Sequence, residues 1–449
     1  MTKANIKYFI VAVLAFLILT QDLPAQKRIA GFGSSVCNGT GDELNLGGYI
    51  GRFRDIAARH GWEVISVSRG GDNTVTIQDR WEKTTTAPLK PVSDNQYLIP
   101  AKPDYIILGL SLANEGIRKD IKSSRDSVFT RFQNGILRII RQCDSLGIRV
   151  VIANCYPHSF YTPDQYDAIK QMNLFINTLP YPGINLLGTI DDGSGHWAEG
   201  FYRDEGHPSS GGHREMSFAI VPTLFDALEK GKPQPPQKIL QHKNNLNKRF
   251  PENTGLVTSI SDTMHSFTVS FSMNNLSDGE ILSIDALGAS ADTSVYLYKE
   301  NTRKGLTVRA SDQRLNRMLR IKDGILSYVS GNSILASAGI DQRNTIRLSV
   351  THNTALGETR IYLNDKKIVN VNERLIPEGF SFQNCDKNGT GNILVYRSSL
   401  NDDEIGAVCG GVLLKSSLEI YSPLDETYGK GDKSIENLAQ SESKLVLRQ

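Results

Sequence analysis

The stretch that decides the fold runs from Lys27 to Glu43, KRIAGFGSSVCNGTGDE. A short apolar run, Ile29-Ala30-Gly31-Phe32, ends at Gly33 in two serines and a cluster of glycines. A strand that ends this way, with a helix to follow, is a common place to hold a phosphate or a reactive hydroxyl. A P-loop needs G-x-x-x-x-G-K-[ST], and no lysine stands in the stretch. A dinucleotide fingerprint needs a third glycine where Val36 stands. The hydroxyl reading leads.

Working outward, short apolar runs alternate with helical periodicity as far as Leu228. KRIAGFG, WEVISVS, PDYIILGLS, IRVVIANCYP and GINLLGTID read as five strands. Between them, GGYIGRFRDIAARHG puts Tyr49, Ile50, Phe53, Ile56 and Ala57 on one helical face. SVFTRFQNGILRIIRQCDSLG is a long amphipathic helix ended by Gly147, PDQYDAIKQMNLFINTL is another, and SGGHREMSFAIVPTLFDALEKG closes the unit as a helix. Apolar strands alternating with helices predict a parallel sheet covered on both faces, with its site beyond the C-terminal strand ends.

After Lys230 the pattern breaks. KGKPQPPQKILQHKNNLNKRFPENTG is rich in Pro, Lys, Asn and Gln and reads as a linker over residues 231–250. Beyond it, over residues 251–449, the period becomes two: SFTVSFSM, SVYLYKE, GLTVRAS, TIRLSVTH and GNILVYRSS read as strands, and TRIYLNDKKIVNV as a hairpin turning at Asn364-Asp365. Many short strands with turn signals predict an antiparallel sandwich.

Composition narrows the class. The 449 residues carry a formal net charge of +2, with 39% hydrophobic and 22% charged residues, as in a soluble globular chain of two or three domains. The balance leaves no electrostatic footprint for nucleic acid. Residues 1–25 have Lys3 and Lys7 ahead of an apolar core from Tyr8 to Leu19 and a polar exit, the pattern of a secretory signal peptide. The apolar run is short of the ~20 residues a membrane span needs, so the mature protein is expected to be secreted or periplasmic rather than integral to a membrane. The five cysteines form no C-x-x-C pair, which argues against zinc or redox chemistry; Cys385 and Cys409 are the pair available for one disulfide, and burial of all five as small apolar residues is the alternative. No D-x-D-x-D-G calcium loop is present, and no metal or cofactor is expected.

A serine nucleophile needs a base, and the base needs an orienting group. YRDEGHPSSGGH supplies Asp204 and His207 three residues apart, directly before the last helix. That spacing lets one loop bond the carboxylate to one imidazole nitrogen and turn the other toward the serine. Donors for a developing oxyanion are expected after the second and third strands, at Gly71 in SRGGDNT and Asn114 in GLSLANEG.

These blocks, in this order, resemble the SGNH (GDSL-type) hydrolases over residues 27–230. The resemblance implies a three-layer α/β flavodoxin-like domain with esterase activity and no cofactor. Gly33-Ser34-Ser35-Val36 with Gly39 matches the family's first block and picks Ser35 as nucleophile. Gly71, with Gly70 as the fallback, matches the glycine whose amide joins that of Ser35 in the oxyanion hole; Asn114 matches the side-chain donor. Asp204, His207 and Pro208 match D-x-x-H-P, with Gly212-His213 following. Two departures stand out. Ser34 replaces the usual Asp, and Leu112-Ala113-Asn114-Glu115 replaces G-x-N-D, without the glycine two before Asn114. His158, His196 and Trp197 are expected to pack at the surface near the cleft, and His213 to pack locally on the last helix. The C-terminal half resembles a laminin-G-like or concanavalin-type jelly roll, through Tyr396, Leu400, Glu404 and Ile405, with LEIYSPLDETYG as a strand that elsewhere opens such domains. Together the two resemblances imply an exported esterase taking O-acetyl or other small acyl groups from carbohydrate, with possible glycan contact through the sandwich. The rivals are a lipase, lysophospholipase or thioesterase, and a non-catalytic glycan-binding or adhesion protein.

Overall fold

The computed structural model describes residues 26–83, 88–118, 122–240, 252–298, 301–340, 346–425 and 434–448. The expected signal peptide lies outside them. β1 (Arg28–Gly33), β2 (Glu63–Ser66), β3 (Tyr105–Gly109), β4 (Arg149–Ala153) and β5 (Gly183–Ile184) form one parallel sheet in the order β2-β1-β3-β4-β5. Successive residues of a strand feed opposite faces. Ile29, Ile107 and Val151 pack with Tyr49 and Phe53 of the Gly48–Arg59 helix and with Phe225. Ala30, Ile106, Leu108 and Ile152 pack with Phe132 and Ile136 of the Lys122–Ser145 helix and with Ile169 of the Pro163–Thr178 helix. Two apolar layers on one sheet explain why β1 and β3 read as continuous apolar runs. The strand order reverses between β1 and β3, which opens a crevice at their C-terminal ends.

Two expected elements differ. Only Gly183–Ile184 of GINLLGTID pairs with β4, and Leu187–Ile190 coils into a helical turn. Side chains capture the amides that a longer strand would have used: Asn154 Oδ1 accepts from Leu186 N at 2.8 Å, and Asn185 Oδ1 accepts from Gly188 N at 3.0 Å. The expected closing helix is two, Ser210–Ser217 and Leu224–Glu229, interrupted around Pro222, whose ring and missing N–H oppose a continuous helix.

Among the described residues, the C-terminal half is two antiparallel sheets, of eight and six strands, facing each other across one core. Phe267 of the Phe267–Met273 strand meets Phe380 of Leu375–Phe382 with ring centroids 5.1 Å apart, and Phe271 meets Phe382 at 5.3 Å. Glu358–Leu363 and Lys366–Asn372 form the expected hairpin, with Asn364 in the left-handed region at φ 56°. The Asp402–Cys409 helix starts at a capping box between Asn401 and Glu404. Leu418–Ser422 pairs with Gly391–Tyr396 at the edge of the six-stranded sheet.

The first part of the expected linker is not a free tether: Ile239 is buried and its amide donates to Gly411 O at 2.9 Å. All five cysteines are unpaired, four of them buried, so no Cys385–Cys409 disulfide forms. Among the described residues no helix is long and apolar enough to cross a membrane.

Candidate active site

Ser35 follows β1, Gly71 follows β2 and Asn114 follows β3, so the sheet order brings three sequence-distant turns to one crevice. The close approach of β1 and β3 there depends on Gly33, where a Cβ would fall 2.0 Å from Gly109 O. Asp204 and His207 sit on a small ribbon, Tyr202–Asp204 paired with His207–Pro208. The Ser35 loop runs directly beneath it: Gly41, at φ 103°, leaves room for Pro208 O, which a Cβ would approach to 2.1 Å.

The three residues form a relay. His207 Nε2 lies 3.1 Å from Ser35 Oγ, and its Nδ1 lies 2.8 Å from Asp204 Oδ1. Asp204 also accepts from Arg203 Nε at 2.9 Å and from Gly206 N at 3.0 Å. Burial alone would raise the Asp204 carboxyl, but hydrogen bonds from His207 and Arg203 and the His207 charge hold it well below the usual carboxylate range. A fixed carboxylate selects the imidazole tautomer with its proton on Nδ1, leaving Nε2 free to take the serine proton.

The turns that carry the oxyanion candidates lie beside one another. A methyl on Gly70 would come within 3.9 Å of Ser35 Cβ, which places the Gly70-Gly71 turn beside Ser35. Gly71 takes φ 74°, and its carbonyl accepts from Lys90 Nζ at 2.6 Å. Asn114 Nδ2 donates to Asp72 O at 3.1 Å, and Asn73 Nδ2 to Asn114 O at 3.4 Å, latching the two turns together. Among the described residues, no acceptor lies against the Ser35 or Gly71 amide.

Several supports were not read from the sequence. Buried Asp72 accepts from Arg80 Nε at 2.5 Å and Arg69 Nε at 2.9 Å. Arg80 also donates to Val67 O and, at 3.3 Å, to Gly33 O, so one guanidinium ties the ends of β1 and β2. Glu115 accepts from Thr74 N at 2.9 Å and Arg131 Nε at 2.7 Å, tying the turn after β2 to the turn after β3. Asp42 accepts from Ser210 Oγ at 2.6 Å, and Glu43 from Ser210 N at 2.6 Å, fastening the Ser35 loop to the helix after His207.

The aromatic and histidine expectations need correction. His158 and Trp197 are 5% and 2% exposed, buried behind the acid–base ribbon rather than packed at the surface. Trp197 Nε1 donates to Glu205 O at 3.0 Å, and Tyr156 stacks on the Trp197 ring at 5.9 Å. Burial, with the neighbouring His207 and Arg118 charges, pushes the His158 imidazole down to about 3, which keeps it neutral. His213 is on the Ser210–Ser217 helix but reaches away from it, with Nε2 3.0 Å from Thr40 O in the Ser35 loop. His196 stays partly exposed, its Nε2 3.0 Å from Tyr161 O. Among the described residues no group of three or more His, Cys, Asp and Glu is placed to hold a metal ion.

Fold and site together define a class of arrangement: a hydroxyl, an imidazole and a carboxylate in relay at the switch point of a doubly wound parallel sheet, able to activate the hydroxyl for attack on a carbonyl. No family profile matches the chain, and no curated protein does. Solved structures similar to part of it include a catalytic mutant of an acetylxylan esterase from Geobacillus stearothermophilus, at 11% identity over 43% of this chain and 92% of that one, TM-score 0.34. A GDSL-like lipase from Bacteroides thetaiotaomicron matches at 13% identity over 49% of this chain and 96% of that one, TM-score 0.32. A lipase from a goat rumen metagenome matches at 16% identity over 43% and 95%, TM-score 0.35. At that level of similarity none of them decides the chemistry here, which rests on the geometry of Ser35, His207 and Asp204.

Proposed function

We propose that this chain is an exported serine ester hydrolase of the SGNH type that removes O-acetyl or other small acyl groups from carbohydrate. The observation that carries the reading is the unbroken relay from Ser35 Oγ through His207 to Asp204 at the mouth of the parallel sheet. Ser35 Oγ attacks the ester carbonyl as His207 Nε2 takes its proton. The amides of Ser35 and Gly71 and the Asn114 side chain hold the oxyanion. His207 then returns the proton to the departing sugar hydroxyl. Water, activated by the same imidazole, releases the acyl group and restores the serine. Arg203, Lys90, Asn73 and Asn114 place polar groups around the relay and the turns beside it, which supports a polar alcohol over a lipid.

The export reading rests on residues 1–25, and the glycan preference on the two facing sheets, which we read as a laminin-G-like or concanavalin-type jelly roll. The test is acetate release from a panel of acetylated polysaccharides, compared with hydrolysis of p-nitrophenyl acetate and palmitate. The reading predicts acetate release from at least one polysaccharide and a preference for acetyl over palmitoyl of roughly a hundredfold or more in kcat/KM. A preference for palmitate identifies a lipase instead. No hydrolysis of any ester leaves a non-catalytic glycan-binding protein.

A further inference from the structure

The Gly279–Tyr298 and Asn301–Lys322 strands are 20 and 22 residues long, far longer than the other strands, and pair with each other from Gly279↔Ile321 out to Tyr298↔Asn301. Their inner part belongs to the eight-stranded sheet, with Leu282–Gly288 along Leu375–Phe382 and Arg317–Lys322 along Ile325–Ser330. From the Ala289↔Ala310 pair outward, over ten pairs, no other described strand accompanies them. At ~3.3 Å per residue this makes an arm of about 30 Å, and a two-stranded ribbon alone is marginal in water.

The arm is docked on the segment that carries the acid and the base. Leu306 N donates to Gly200 O at 2.7 Å, and Arg214 Nη1 donates to Val308 O at 2.6 Å. Val308 is fully buried in the core that holds Phe201, Met216 and Ile220. Small residues permit the approach: a Cβ on Gly211 would lie 1.8 Å from Leu306 O, and one on Gly305 would lie 3.5 Å from Gly200 O and 3.6 Å from Ser209 Oγ. Gly200 stands four residues before Asp204, and Gly211 four after His207. The arm therefore grips both flanks of the ribbon, while Trp197 and Ser159 hold its Glu205 carbonyl from behind, at 3.0 and 2.9 Å.

We propose that this arm positions the Asp204–His207 ribbon against Ser35, so that the C-terminal half completes the catalytic site rather than merely being appended to it. The inference rests on the esterase reading for its kinetic consequence, but not for its structural one. Two full-length variants test it. One replaces residues 290–309 by an Asn-Gly turn. The other, Gly211→Ala, pushes on Leu306 O from a helical position that otherwise favours alanine. Both are expected to lower kcat on p-nitrophenyl acetate by roughly a hundredfold, with KM little changed, when measured well below their Tm. Both are also expected to raise amide hydrogen exchange across residues 201–209 while the β1–β4 strands stay protected. Wild-type kcat and exchange in a variant that has merely lost Tm would overturn the proposal. The exchange measurement keeps its meaning if the wild type hydrolyses no ester, so failure of the esterase reading and failure of the positioning role give different results. Should the trimmed chain fail to fold, Gly211→Ala decides alone.

Discussion

Two adjacent serines part company at the end of β1. Ser35 is half-buried and faces His207; Ser34 is fully buried, with Oγ 3.1 Å from Tyr156 OH. Ser34 thus fixes the tyrosine that stacks on Trp197 behind the Asp204–His207 ribbon. Ser34→Ala leaves the buried phenol without this partner and should cost about 1–2 kcal/mol in urea unfolding, while kcat stays within roughly tenfold of wild type. Loss of all activity with unchanged stability would assign Ser34 a chemical role instead. The relay itself was legible in the sequence because Asp204 and His207 are three residues apart and Ser35 lies in a motif of its own. Its supports were not. Asp42 and Ser210, or Asp72 and Arg80, are ordinary polar residues until folding brings them together. Trp197 reads as a surface residue because it lies among glycines and charges, and His158 because it follows Pro157 in a loop, yet the chain returns over both.

At the scale of elements, periodicity located the strands and helices of the α/β half because both faces of its sheet are covered. It failed where side chains compete with the ladder. Asn154 and Asn185 end β5 after two residues, and nothing in the apolar pattern of GINLLGTID announces this. Pro222 was visible, and its break in the closing helix follows from a rule the apolar run obscured. In the other half, SVYLYKE and GLTVRAS read as separate strands, yet they are the outer part of one long arm. Their length is invisible locally, since charged and small residues such as Asp292, Arg309 and Ala310 interrupt the alternation on the arm's exposed face.

The two halves also meet along a polar seam. Asn177 and Asn185 of the α/β half donate to Glu404 Oε1, each at 2.8 Å, and Ser416 bridges Gly183 at the open edge of β5. Covering that edge removes a site for unwanted strand addition. Nearby, Asp191 accepts from Tyr166 OH at 2.5 Å and Gly195 N at 2.9 Å. Burial, reinforced by the Asp192 charge, pushes the Asp191 carboxyl up to about 7 despite those bonds; burial does the same to Glu404, also to about 7. A carboxyl raised on folding stabilises the protein fully below its ordinary value of ~4, and that stability is lost as pH rises through about 7. These two carboxyls should therefore lower the wild-type Tm as pH rises from about 4 to about 7. Asp191→Asn, whose amide can still serve both neighbours, should remove part of the slope, with Glu404 carrying the rest. An unchanged slope in that variant would contradict the account of the seam.

The most direct test of the whole account is the initial rate of p-nitrophenyl acetate hydrolysis by wild type and by Ser35→Ala. The relay predicts a loss of several powers of ten, roughly 10³ or more, with the Tm of the variant unchanged. Equal rates in the two proteins would show that Ser35 is not the nucleophile and that the relay does not carry the reaction.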